Sequence, residues 1–134
     1  MKTYEKGAIG EHRVVADLIN KGYRVHKPLV DSLPYDLVVS IKGVFYKVQV
    51  KYICMVNGYI ESAPRIARSS LSKISNVEFD ILAIFCPEMD KCYYVNQIDF
   101  QSSVRLRVHR AKNNQAKNVR LAKDYTEIKI YEDR

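Results

Sequence analysis

The 134-residue chain has no tryptophan and three cysteines, and none of its apolar runs approaches the roughly 18 residues that a membrane-spanning helix needs. Its first residues, MKTYEKGAIGEH, are polar and contain no apolar stretch of the kind that opens a secretory signal, so the chain is expected to stay in the cytoplasm. Cys54, Cys86 and Cys92 are odd in number and show no C-x-x-C spacing. A disulfide framework and a cysteine zinc site are thereby disfavoured, and reduced, buried thiols are expected. His12, His26 and His109 are scattered and lack partnered cysteines, which argues against a histidine metal site. No glycine-rich phosphate loop is present. A basic amphipathic stripe with Trp or Phe is missing too, which removes a membrane surface from the partners. Repeats, low-complexity tracts and linkers are absent, so residues 1–134 are expected to form one domain with a sizeable core.

What is present is apolar enough to fold, at 47% hydrophobic residues, and carries a net charge of +7. The positive excess is concentrated. Residues 101–123, QSSVRLRVHRAKNNQAKNVRLAK, hold seven Lys or Arg and no acid. Arg and Lys interleaved with Asn and Gln are suited to phosphates and base edges, whereas a solvated basic face is the plainer alternative. The expected partner is double-stranded DNA, contacted through Arg105, Arg107, His109, Arg110, Lys112, Asn113, Asn114, Lys117 and Arg120.

Residues 6–21 read as a helix, with Val14, Val15, Leu18 and Ile19 at helical spacing and Gly22 as its stop. Glu11 shares the stripe of Val14, Val15 and Leu18. An unpaired carboxylate there is unfavourable, so Glu11 is expected to meet a cation, a metal or the edge of a cleft. Gly7 and Gly10 leave room for the close approach of another backbone or a DNA strand. YRVHKPLV reads as short and extended, FDILAIFC at 79–86 as a central strand, and KCYYV, VRLRV and YTEIKIY as further strands, with a loop and short helix within 61–78.

PYDLVVSIKGVFYKVQVKY, residues 34–52, reads as a hairpin. Side chains alternate along a strand, so Val44, Tyr46, Val48 and Val50 share the core face and Phe45, Lys47, Gln49 and Lys51 the other. With Lys42-Gly43 as a two-residue turn, Ile41 opposes Val44 and Val38 opposes Lys47, which sets Asp36 opposite Gln49. Asp36, Gln49 and Lys51 would then project together from the open end. On the hairpin alone, the wet side of an antiparallel sheet explains them as well.

An acid on an early helix (Glu11), Pro34-Tyr35-Asp36 at a strand start and Gln49-Val50-Lys51 on the next strand together resemble the PD-(D/E)XK nuclease superfamily. The GxxGE helix start, the short length and the basic C-terminal segment look most like the bacterial group I intron-encoded homing endonucleases. Tyr35 is inserted between Pro and Asp, and Gln49 stands where that family usually has Asp or Glu. The resemblance implies an α/β, restriction-endonuclease-like fold: a mixed central sheet flanked by helices, a catalytic core over 1–100 and a basic, β-rich DNA-binding segment over 101–123. It implies Mg²⁺, with Mn²⁺ able to substitute, held by Glu11, Asp36, Gln49 and the carbonyl of Val50, and Lys51 beside the attacking water. Site-specific cleavage of both DNA strands is the implied activity. A non-catalytic DNA-binding module and a junction resolvase are the alternatives. One cluster per chain addresses one strand, so a homodimer or homotetramer is expected.

Overall fold

The computed structural model describes residues 1–63, 78–109 and 119–131. Helix α1 runs over Thr3–Asn20, starting three residues earlier than the apolar spacing indicates. The extra turn is held by Glu5, whose Oε1 accepts the Lys2 backbone N–H at 2.8 Å. At the other end Gly22 takes φ +90, and the Tyr23 N–H reaches back to the Leu18 carbonyl at 3.0 Å, a glycine-terminated helix end. Val14 and Leu18 are fully buried, but Ile19 is 58% exposed, so the packed stripe is narrower than the sequence spacing suggests.

Among the described residues eight strands follow: β1 Arg24–His26, β2 Leu37–Ile41, β3 Val44–Tyr52, β4 Tyr59–Ser62, β5 Ile81–Cys86, β6 Lys91–Asn96, β7 Val104–Arg107 and β8 Arg120–Leu121. Five form a mixed sheet in the order β1-β2-β3-β5-β6, antiparallel throughout except for the parallel pair β3 and β5. The hairpin turns on Lys42 (φ 52) and Gly43 (φ 82), both left-handed as a primed two-residue turn requires. Its register pairs Ile41 with Val44, Ser40 with Phe45 and Val38 with Lys47, as the sequence indicates. Asp80 fixes where β5 joins: its N–H bonds the Lys47 carbonyl and its Oδ2 accepts the Lys47 N–H, each at 2.8 Å.

The continuous apolar run of β5 is explained by burial on both faces. Ile81, Ala83 and Phe85 join the core beneath α1, with Leu37, Val39, Val48 and Tyr94. Leu82, Ile84 and Cys86 join a second core with Ile60, Tyr93, Val95, Val104 and Leu106. That second core lies under another sheet, ordered β4-β7-β8. Among the described residues α1 is the only α-helix, so the opposite face of the main sheet is covered by strands where flanking helices were expected. The helix expected within 61–78 falls largely outside the described residues, and at its start Ser62 closes β4.

Two further expectations are corrected. YTEIKIY forms no strand; Ala122–Tyr125 is a 3₁₀ turn, and residues 126–131 run without regular structure. The segment is fastened instead by single bonds, Lys21 Nζ to the Thr126 carbonyl (2.6 Å), Asn96 Nδ2 to the Lys129 carbonyl (2.8 Å) and Tyr131 OH to Asp99 Oδ2 (2.6 Å). Buried Ile128 packs into the core beneath α1. Of the cysteines, Cys86 and Cys92 are buried as expected, but Cys54 is exposed.

Gly10 is the point at which α1 meets β3: a Cβ built there lies 3.4 Å from Tyr52 Cβ and 3.7 Å from its backbone. One methyl group fits this gap and a larger side chain does not. Gly10→Ala is therefore expected to hold or raise stability, since helix propensity favours Ala by about 1 kcal/mol. Gly10→Leu is expected to lower it by about 1–3 kcal/mol through overpacking. Urea unfolding of the two variants checks both signs.

Candidate functional site

The open end of the hairpin is built by the backbone before any side chain contributes. β2 pairs with β3 only as far as Leu37 opposite Val48, and from Val48 onward β3 pairs with β5 on its other edge. Asp36 continues the ladder by one bond, its N–H donating to the Val48 carbonyl at 2.9 Å. Its carboxylate then takes the place of the missing strand, as Oδ2 accepts the Val50 N–H at 2.8 Å. The Asp36 side chain is thereby fixed, and its Oδ1 makes no hydrogen bond among the described residues.

Gln49 is fixed as well. Its Nε2 donates to the Pro34 carbonyl at 3.2 Å. A carbonyl only accepts, so the amide orientation is determined and Oε1 points the other way. That oxygen is buried and has no hydrogen-bond partner among the described residues. An orphaned buried acceptor is disfavoured by about 1–3 kcal/mol and calls for an ion or a donor at that position. Lys51, two residues on and on the same face, is half-buried and makes no ion pair among the described residues. Hard oxygens from Asp36 and Gln49 beside an unpaired ammonium suit Mg²⁺ or Mn²⁺, so the donor set fits the cation.

Glu11 stands differently. Gln49 and Lys51 pair with Leu82 and Ile84 of the second core, which puts them on the sheet face away from α1. Glu11 comes from α1, across the sheet. It does meet a cation, forming an ion pair with Lys27. Lys27 directly follows β1, where His26 pairs with Val38, two residues beyond Asp36, so Glu11 is drawn toward the open end from the opposite side. Among the described residues no three His, Cys, Asp or Glu side chains group closely enough to hold a metal.

A larger cleft of about 650 Å³ lies on the far side of α1, lined by Arg13, Asp17, Lys21, Asp90 and Cys92 among others. Arg13, Asp17, Lys21 and Asp90 are paired within it. Arg13 pairs with Asp90 at 2.5 Å, and Asp17 Oδ2 receives Lys21 at 2.8 Å and the Tyr94 hydroxyl at 2.5 Å. Burial, and secondarily the Asp17 charge, push the Cys92 thiol up to about 11. A thiol held neutral is a poor nucleophile.

Of the basic residues, Arg105 and Arg107 share the outer face of β7, above Tyr59 of β4. The His109 ring packs over the Gly58 backbone, and its carbonyl accepts Arg107 Nε at 2.6 Å. Arg120 points to the other face and bonds the Asp99 carbonyl. Arg110, Lys112, Asn113, Asn114 and Lys117 lie outside the described residues. Tyr59 escapes the sequence reading. Its signal is Val56-Asn57-Gly58-Tyr59, where Asn57 (φ 53) and Gly58 (φ 81) make a second primed turn closed by the bridge of Val56 to Tyr59.

Over 84 residues the chain is 34% identical to Protein 5.3 of Escherichia phage T7, an overlap covering 61% of this chain and 71% of the phage protein. Its fold is similar to that of the bacterial homing endonuclease I-Ssp6803I, with a TM-score of 0.61 at 23% identity over 87% of this chain and 83% of that one. No helix among the described residues is long and apolar enough to cross a membrane. Residues 1–128 match the PD-(D/E)XK endonuclease family, a span that takes in the hairpin end and every strand of both sheets, and the chain belongs to that family.

Proposed function

We propose that the protein is a Mg²⁺-dependent, site-specific endonuclease of double-stranded DNA, of homing type, acting in the cytoplasm. The observation that carries this reading is the orphaned Gln49 Oε1 beside the anchored Asp36 carboxylate, with Lys51 free on the same face. When bound, a divalent cation supplies Lewis acidity and a water of lowered pKa. Asp36, Gln49 and the Val50 carbonyl would hold it, and Glu11, on the opposite side of the sheet and paired with Lys27, would act on it only at a distance, through its charge. Lys51 donates hydrogen bonds to the attacking water and to the phosphate, offsetting the charge that builds as the water oxygen bonds phosphorus and an ester P–O bond breaks. Pro34 keeps the Gln49 oxygen aimed by holding its amide nitrogen.

Asp36→Asn and Lys51→Ala are expected to abolish cleavage while leaving DNA affinity within a few fold. Plasmid and linear duplex digestion with and without Mg²⁺, beside gel-shift titration, measures both quantities. Near wild-type cutting by Asp36→Asn would remove this site from the chemistry. A wild-type chain that binds duplex but cuts nothing would support the second reading, a DNA-binding module in which the neutral Gln49 leaves the cation too weakly held.

Gln49→Glu restores a negative oxygen beside Asp36. A unit charge about 4 Å from a divalent cation contributes roughly 2 kcal/mol even at the dielectric of water. The half-saturating Mg²⁺ concentration is expected to fall at least tenfold. Without metal the two carboxylates repel, so the variant should melt below wild type in EDTA and recover in Mg²⁺. Calorimetric titration and paired melting curves check this.

One cluster per chain also predicts assembly, since cutting both strands at one site calls for copies related by a two-fold axis. Light scattering at micromolar concentration is expected to give about two or four times the 15.5 kDa chain mass. A monomeric mass with and without DNA, alongside concerted double-strand cutting, contradicts this assembly.

A further inference from the structure

The sheet β4-β7-β8 has one face in the second core and one in solvent. Ile60, Ser62, Val104 and Leu106 point inward, whereas Tyr59, Glu61, Arg105 and Arg107 point outward. Two arginines that look equivalent in the sequence are not equivalent here. Arg107 is committed: Nη1 bonds the Tyr59 hydroxyl, and Nε bonds the His109 carbonyl at 2.6 Å. Arg105 lies with its guanidinium carbon 3.7 Å from the centre of the Tyr59 ring and makes no hydrogen bond or ion pair among the described residues. Stacking fixes the plane of the guanidinium and leaves its donors, which lie in that plane, pointing to solvent.

Directly across the ladder from Arg105 stands Glu61. Opposed residues have Cβ atoms roughly 4.5–5.5 Å apart, close enough for an ion pair. Arg105 takes the Tyr59 ring instead, and among the described residues both charged groups remain open at the wall of a groove of about 310 Å³ that Cys54, Val56, Asn57 and Tyr59 also line. A donor fork and an acceptor-only carboxylate thus stand side by side. A phosphate approaching Arg105 would be repelled by the neighbouring carboxylate. A base pair would not, because the major-groove edge of G·C offers acceptors on guanine (O6 and N7) and a donor on cytosine (N4). At Arg105 the sheet is two strands wide among the described residues, since β8 pairs only with Leu106 and Arg107, and a two-stranded antiparallel ribbon has the dimensions to enter that groove.

We infer that the β4 and β7 ribbon reads a G·C base pair in the major groove, Arg105 as the guanine reader and Glu61 as the cytosine acceptor, with Tyr59 and Arg107 as positioning residues. This rests on the reading that double-stranded DNA is the ligand.

The test is selection of bound duplexes from a random library by the full chain, with Ca²⁺ in place of Mg²⁺ so that cleavage does not intervene. It is repeated with Arg105→Ala and Arg105→Lys, both exposed changes. With Arg105→Ala one guanine of the selected site should relax to any base, with Arg105→Lys the preference for it should weaken, and the other positions should persist. Affinity of the Ala variant for the preferred site should fall about 10- to 100-fold, and the slope of log K against log salt should not change. Lys keeps the charge without the fork, so a guanine preference weaker than wild type at an unchanged slope separates base reading from charge. A uniform loss across sequences with the slope reduced by about 1, or retention of the guanine by Arg105→Ala, identifies a phosphate contact and overturns the assignment while the nuclease reading stands. A wild-type chain that binds all duplexes alike overturns it in the same way. A chain that binds no duplex overturns both.

Discussion

Strand β3 is shared between two partners, and the candidate site lies where one gives way to the other. Its first half is zipped to β2 and its second half to β5, with Val48 in both ladders. A strand that loses one neighbour inside a folded domain leaves backbone N–H groups facing a gap, and a buried N–H cannot go unpaired. Asp36 fills the gap with its carboxylate on the Val50 N–H, and Pro34 closes it by holding the Gln49 amide. The features that read as catalytic are therefore also the ones that let the sheet fork.

The fork requires two other features. β5 must lie inside the sheet, so it is apolar on both faces, and this in turn requires cover on both sides: α1 over one, the smaller sheet over the other. α1 must also approach β3 closely, which Gly10 permits by presenting no side chain to Tyr52. The smaller sheet inherits an outward face that the core does not need. On that face Tyr59, Arg105 and Arg107 are arranged around one another with no obligation to packing. The proposed chemistry at the fork and the proposed recognition on the outer ribbon thus fall on different strands joined through one core.

Much of the hairpin was legible because its information is local. Alternation over residues 44–50 fixes the faces, and the Lys42-Gly43 turn fixes the register that brings Asp36 to Gln49. The Asn57-Gly58 turn was equally local, and with it β4 was open to the same reading. YTEIKIY shows the limit of local reasoning: its alternation is that of a strand, but no partner edge is offered to residues 126–131 among the described residues, and isolated bonds to Lys21, Asn96 and Asp99 hold them instead.

The sequence by itself determined the domain's charge, its lack of a membrane helix, the hairpin with its polar open end and the membership of Asp36, Gln49 and Lys51 in one face. Each follows from composition or from the two-residue period of a strand. Only the tertiary structure decided that Glu11 approaches from the opposite side of the sheet with Lys27 on its carboxylate and that, among the described residues, the Gln49 oxygen is buried without a donor and Arg105 is free where Arg107 is not. These depend on which elements pack against which, and, the Arg107 to His109 bond aside, such contacts join residues between 15 and 48 positions apart. No periodicity within one segment encodes a distance of that kind.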